Sequence, residues 1–280
     1  MNRRKTIIYL ALITVLLLVA GRLLTQPSNP NPIIQTQNID SNQKPASSTA
    51  ADLKKEPASS TAKTARTQPA AKNDPAISVA SSTPNKMILF EVPFTSQAPF
   101  AEWSDPRFQY ACEEASVLMA IRWAEGLGPI TKADAKAEIL DMVAYEEKTI
   151  NNYRDTSASD TLDIIINGYF KYMRAELKKD SDIAAIKNEL YKGNILILPM
   201  NGKKMNNPNF THGGPEEHML VIRGYDPATK EFITNDPGTR KGESYRYPEK
   251  IIEAAWRDYP TGDHAPISGI ARNMIIVRKK

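Results

Sequence analysis

Apolar and polar positions fall into three regimes along the chain. Residues 1–25 run from a basic cluster, Arg3, Arg4 and Lys5, into the apolar stretch Ile7–Ala20, broken only by Thr14. Residues 26–86 show no apolar periodicity, and residues 87–280 hold every Trp, Phe and Cys. Within that last part the pattern predicts a strand over Met87–Val92 and a loop over Pro93–Trp103. A helix is expected over Cys112–Glu125. Its Ala115, Leu118, Met119, Ile121, Trp123 and Ala124 are apolar on most sides, so it should be buried, and Gly126 should end it. A second helix is predicted over Thr131–Glu147, with Thr131 as N-cap and Asp134 in the capping-box position. Further helices are expected over Ser159–Met173 and Asp182–Lys192.

After Gly193 the period changes. Asn194–Met200 reads as an apolar strand and Asn201–Glu217 as a long polar loop rich in Gly, Pro and Asn. His218–Tyr225 and Glu231–Asn235 are strand candidates around a turn of Asp-Pro-Ala-Thr-Lys composition. A short helix over Pro248–Asp258 and a strand over Ala271–Arg278 complete the set. Helices come first and antiparallel strands second, which argues for an α+β fold with a buried helix packed on an antiparallel sheet.

The first two regimes set the domain plan: residues 1–25 a membrane anchor or signal peptide, 26–86 a linker, 87–280 one folded domain. Positive charge ahead of an apolar run keeps that end in the cytoplasm and sends the rest outside. The run is short for a spanning helix, but it resumes at Leu23-Leu24 if Arg22 snorkels, so an uncleaved anchor and a cleaved signal both stay open. The linker repeats PASSTA at 45–50 and 57–62, and too little of it is apolar to offset chain entropy. As a coil it would hold the domain roughly 40–50 Å away on average. The formal charge of +4 becomes −2 once Arg3, Arg4, Lys5, Arg278, Lys279 and Lys280 are set aside. The body is near neutral, and no nucleic-acid partner is implied.

An exported domain with one cysteine cannot use it in an intrachain disulfide. Cys112 stands at the first position of the buried helix, where backbone N–H groups and the dipole favour a thiolate. Glu113 and Glu114 follow at once and oppose it if they face the sulfur. A thiolate nucleophile needs a positioned imidazole, and the imidazole needs an orienting acceptor. Of the three histidines, His212 and His264 sit in Gly/Pro-rich loops, and His218 opens an apolar strand. If Tyr225 pairs with Glu231, Leu220 faces Asp236, and His218 lies diagonal to Asp236 on the same face, roughly 7–8 Å away between Cα atoms. A slip of one residue would bring Asn235 to the imidazole instead. Gln97, in the loop after Pro93, can supply an amide to an oxyanion.

The segments VPFTSQAPFAEW (92–103), ACEEAS (111–116), EHMLVIRGYD (217–226) and FITNDPGTRKGE (232–243) resemble the C39-like cysteine peptidase family in order and spacing. That resemblance implies a papain-like fold with Gln97 as oxyanion donor, Cys112 as nucleophile, His218 as general base and acid, and Asp236 orienting His218. It departs from the family where Glu113-Glu114 replace the usual Gly-Pro. No P-loop accompanies it.

The expected activity is a thiol hydrolase outside the membrane, monomeric, acting on peptides or peptidoglycan stem peptides without a cofactor. A catalytically silent binding module of the same fold is the alternative. The loop Asn201–Glu217 is expected to wall the cleft, with Lys203, Lys204 and Trp103 meeting an acidic or carboxylate-bearing substrate. A metal site from His212, Glu216, Glu217 and His218 fits no standard zinc spacing, and no metal is expected.

Overall fold

The computed structural model describes residues 86–280. The anchor and linker expected over 1–25 and 26–86 fall, save for Lys86, outside the described residues. Among the described residues no helix is long and apolar enough to cross a membrane.

Strand β1 (Ile88–Leu89) leads through a loop to the short helix α1 (Pro106–Gln109). Four residues are too few to show a period, so the sequence pattern misses it. Its signals are local: Asp105 accepts the N–H of Arg107, and Pro106 fills the first turn, where a missing N–H costs nothing. Helix α2 (Cys112–Ala124) follows, buried at every position except Arg122. Helix α3 (Lys132–Ile150) starts at the expected cap, the Thr131 hydroxyl accepting from Asp134 N–H at 3.1 Å. It continues past the expected end to Asn151 in the left-handed region. Helix α4 (Ala158–Asp160) passes into π-helical turns over Thr161–Tyr169.

Strand β2 (Ala175–Lys178), which the sequence pattern did not reveal, precedes α5 (Ile183–Tyr191), capped by Asp182. Then come β3 (Ile195–Met200), β4 (His218–Asp226), β5 (Glu231–Asn235), β6 (Tyr245–Pro248), α6 (Glu249–Ala255) and β7 (Met274–Val277).

The strands form one antiparallel sheet in the order β2-β7-β3-β4-β5-β6, with β1 also paired to β4. Both faces are covered. Ile195, Ile197, Met219, Val221, Ile275 and Val277 pack into the core around α2 and α3. Their alternates Leu196, Leu198, Leu220, Ile222, Met274 and Ile276 pack into a second core with α5, α6 and Trp256. This is why β3 and β4 read as unbroken apolar runs rather than alternating ones. Each such side chain contributes about 1.5–3 kcal/mol by leaving water. The expected α+β class, a buried helix on an antiparallel sheet, is the one found.

The β4–β5 register decides where His218 and Asp236 lie. At the turn it differs by one from expectation: Asp226, not Tyr225, opposes Glu231. The pairing then shifts between Ile222 and Gly224, so that Ile222 opposes Thr234 and Val221 opposes Asn235. That is the register expected for this end of the hairpin. The extra residue is Arg223, whose guanidinium donates to Phe90 O at 2.7 Å and Ser244 Oγ at 3.0 Å. The next residue must be Gly224, because a Cβ there would lie 2.4 Å from Ile88 O of β1. A bulge of this kind bends the strand and re-aims its side chains.

Candidate active site

His218 and Asp236 stand at the same end of the sheet, both buried. His218 Nε2 and Asp236 Oδ1 are 2.9 Å apart. Asp236 Oδ1 also accepts Gly238 N–H at 3.0 Å, and Oδ2 accepts the Tyr247 hydroxyl at 2.6 Å. Asn207, from the long loop, donates to Tyr247 Oη at 2.6 Å. Burial alone would raise the Asp236 carboxyl. The His218 ring and the Tyr247 and Gly238 donors outweigh it and hold the carboxyl below its ordinary range. Asp236 is therefore an acceptor, the proton of the pair sits on Nε2, and Nδ1 is the ring nitrogen left for the cleft. The Phe210 ring packs edge-on against the imidazole at 5.3 Å. Gly238 lets the backbone lie along the ring, since a Cβ there would approach His218 Cε1 to 2.9 Å. Asn235 points elsewhere, donating to Val92 O and Pro93 O.

Cys112 begins α2. One turn further along, Ser116 Oγ donates to Met219 O at 3.2 Å, which ties the helix to the residue after His218. Cys112 and His218 line the same cavity, of about 530 Å³. The thiol, however, donates to Glu113 Oε2 at 3.1 Å. Glu113 Oε1 in turn accepts the Tyr259 hydroxyl at 2.6 Å. Burial, then the Glu113 carboxylate, push the thiol well above its ordinary value. The helix N-terminus favours a thiolate, but here burial and the acidic neighbour prevail.

The other expected contacts divide. Gln97 lines the cavity, yet its amide nitrogen donates to Phe108 O and Gln109 O, each at 2.9 Å, so both amide hydrogens are engaged. Its Oε1 is buried and has no partner among the described residues. Trp103 lines the cavity, as do Phe210, Gly214 and Glu217 of the long loop. Lys203 and Lys204 do not line it, contrary to expectation. The short helical turn Gly202–Met205 carries both on the outside, and Lys203 pairs with Glu216 at 2.8 Å. Among the described residues the four considered for a metal form no ligand cluster; Glu216 binds Lys203 and Arg257, His218 binds Asp236, and Glu217 meets His264.

Chemistry that sequence spacing did not reveal lies in the same cavity. Asp155 and Glu217, both buried, line the cavity beside Cys112. Burial and the Glu217 charge raise Asp155 to about 6, and burial and the Asp155 charge raise Glu113 to about 8. Oxygen and nitrogen atoms of Asp155, Asp263 and His264 lie within 4.8 Å of one another, close enough to share a cation, although Asp263 already pairs with Arg154 at 2.5 Å. Between α2 and α3 lies a second acid pair, Glu114 and Glu146, fully buried.

A cysteine at a buried helix start, in one cleft with a carboxylate-bound histidine, is the arrangement of a thiol hydrolase. Residues 89–262 match the Peptidase_C39 like family. That is more than half of the chain, which belongs to this family and is a cysteine peptidase. Two solved structures are similar to it. A protein described as a C39-like peptidase from Bacillus anthracis shares 16% identity over 70% of this chain and 98% of its own, with a TM-score of 0.46. Xylellain, a cysteine protease from Xylella fastidiosa, shares 13% identity over 69% of this chain and 86% of its own, with a TM-score of 0.40. Among curated proteins none matches the chain.

Proposed function

We propose that the domain hydrolyses peptide or amide bonds through Cys112, His218 and Asp236. The observation that carries the proposal is that Cys112 and the His218–Asp236 pair line one cavity. In this reading a substrate turns the thiol away from Glu113 and toward His218 Nδ1. The ring takes the thiol proton as sulfur attacks the acyl carbon, and gives it to the departing amine as the C–N bond breaks. Water then cleaves the thioester with the same nitrogen as base. Asp236 keeps the proton on Nε2, so that Nδ1 faces the reaction. For Gln97 to serve as oxyanion donor, its amide must release one of its two carbonyls. The notion of work outside the membrane, on peptides or peptidoglycan-type peptides, is supported by Arg3, Arg4 and Lys5 ahead of the apolar run.

One observation favours a silent binding module instead: Glu113 and burial hold the thiol protonated. Cys112→Ala separates the two. Under the hydrolase reading it abolishes cleavage of a peptide mixture that the unaltered chain digests, with melting nearly unchanged. Equal cleavage by both proteins would remove Cys112 from the chemistry. No cleavage by either, with a thiol inert to iodoacetamide across pH, would leave the module.

A further inference from the structure

We infer that the cleft beside Cys112 receives a cationic group of the substrate, a protonated amine, against Asp155 and Glu217. The inference rests on the cavity being the substrate site and goes on to name the substrate's charge. It reverses the expectation drawn from Lys203 and Lys204, which stand outside the cavity.

Asp155 is 4% exposed and Glu217 7%, and both line the cavity. Behind them Glu113 is buried as well, and it feels the Asp155 charge. Among the described residues neither Asp155 nor Glu217 has a lysine or arginine as partner. Glu217 Oε2 meets His264 Nδ1 at 3.3 Å, and Asp155 Oδ2 accepts only His264 N–H, at 3.5 Å. His264 is a weak counterion, its side chain 67% exposed and its backbone in the left-handed region. Buried carboxylates are costly unless paired, and the resident pairing here is poor.

A second and independent feature points the same way. Gln97 is 4% exposed and lines the same cavity. Its amide nitrogen is committed to the carbonyls of Phe108 and Gln109, and its oxygen has no partner. A buried acceptor without a donor costs about 1–3 kcal/mol. The oxygen is closed off from solvent, so a ligand N–H meets it when the amide turns toward the cleft. Two buried carboxylates lining the cleft, and a lining residue whose amide oxygen still lacks a donor, make an acceptor-rich site, and an alkylammonium or guanidinium group is its chemical complement. Among the described residues the one arginine lining the cavity, Arg240, is exposed and follows Gly238 and Thr239 in the loop beside His218. It suits a substrate carboxylate at the rim and does not neutralise the acidic wall, which is carried by other loops.

The test uses the thiol as reporter and needs no known substrate. The purified full chain is treated with three methanethiosulfonates: aminoethyl (cationic), methyl (neutral) and sulfonatoethyl (anionic). Each forms a mixed disulfide with Cys112 and releases methanesulfinate. Rates are divided by those with N-acetylcysteinamide, and Cys112→Ala serves as the blank. The cationic reagent should gain about tenfold over the neutral one, as expected for a charge pair a few ångströms apart at a cleft surface. The anionic reagent should be slower than the neutral. Glu217→Gln and Asp155→Asn should each shrink the ratio, and so should added salt on the unaltered chain, which keeps the test valid if a variant folds poorly. Equal normalised rates for all three reagents would overturn the inference, as would a ratio untouched by either folded variant and by salt. A second arm compares peptides carrying lysine or norleucine at successive positions. A lysine preference expressed in KM and lost in Glu217→Gln supports the site. Cleavage with no such preference overturns it and leaves the hydrolase reading standing. Charge selectivity toward the thiosulfonates without cleavage of any peptide would retain the cationic site and sink the hydrolase.

Discussion

Glu113→Gln isolates the residue that most directly opposes a Cys112 thiolate. The substitution keeps the shape of the side chain and an oxygen for the Tyr259 hydroxyl, but removes the charge and places a donor beside the sulfur. Two full charges at the observed 3.1 Å would repel by about 5 kcal/mol at an effective dielectric of about 20. That is a ceiling. Glu113 is itself raised to about 8, by burial and the Asp155 charge, so it opposes the thiolate fully only above that pH. The two groups titrate as a pair, and the first proton lost leaves a thiol facing a carboxylate. Burial of the sulfur persists in the variant and keeps part of the shift. The midpoint of thiol alkylation against pH should therefore fall by about 1–2 units in Glu113→Gln. In the alkaline range that makes the variant at least about tenfold more reactive. Iodoacetamide rates on the full chain, followed by mass spectrometry from neutral to alkaline pH, measure it. An unmoved midpoint would show that Glu113 does not suppress the thiol. A midpoint that rises would make Glu113 a productive proton acceptor and refute the reasoning outright.

Asp236→Asn should lower kcat about a thousandfold or more, with a smaller change in KM, because the ring loses the acceptor that fixes its tautomer; wild-type kcat in this variant would deny Asp236 its orienting role. Burial lifts Glu146 from its ordinary 4.5 to about 8, and burial with the Glu146 charge lifts Glu114 well above its ordinary range. The folded protein thus keeps protons that the unfolded chain has released, so stability is full below 4.5 and is lost as pH rises toward 8. Tm should fall by several degrees across that window and less steeply in Glu146→Gln; a Tm that is flat or rises with pH in the unaltered chain would contradict it. Lys203→Ala with Lys204→Ala should leave KM unchanged and stability within about 1 kcal/mol, since the Lys203–Glu216 pair is exposed and outside the cavity; a raised KM would return these lysines to the substrate.

The hairpin shows what the sequence made legible and what it hid. Apolar runs locate β3, β4 and β5, and the Asp-Pro-Ala-Thr-Lys turn joins the last two, so His218 and Asp236 can be paired from the sequence. The pairing expected at the cleft end is the one found, although the turn itself is shifted by one residue. Arg223 absorbs the difference, and its bulge is held by Phe90 and Ser244, residues distant in sequence. Nothing in the local pattern of β4 announces such contacts. The acidic wall is hidden for a similar reason. Asp155 lies in an irregular loop between α3 and α4, and Glu217 ends a loop that periodicity leaves featureless. Each has an ordinary polar neighbourhood in the sequence. Only the fold brings both beside a cysteine whose helix comes from a third segment. The long loop expected to wall the cleft does so, but with Phe210, Gly214 and Glu217 rather than its lysines, because Asn201 caps a short turn through Lys204 N–H and turns both lysines outward. Glu113 was the one element of this electrostatics visible beforehand, since adjacency to Cys112 makes contact available without any tertiary knowledge. Its direction was not visible: at the first turn of a helix a side chain can face solvent or the neighbouring thiol. The Tyr259 hydroxyl, reaching in from beyond α6, anchors it toward the sulfur.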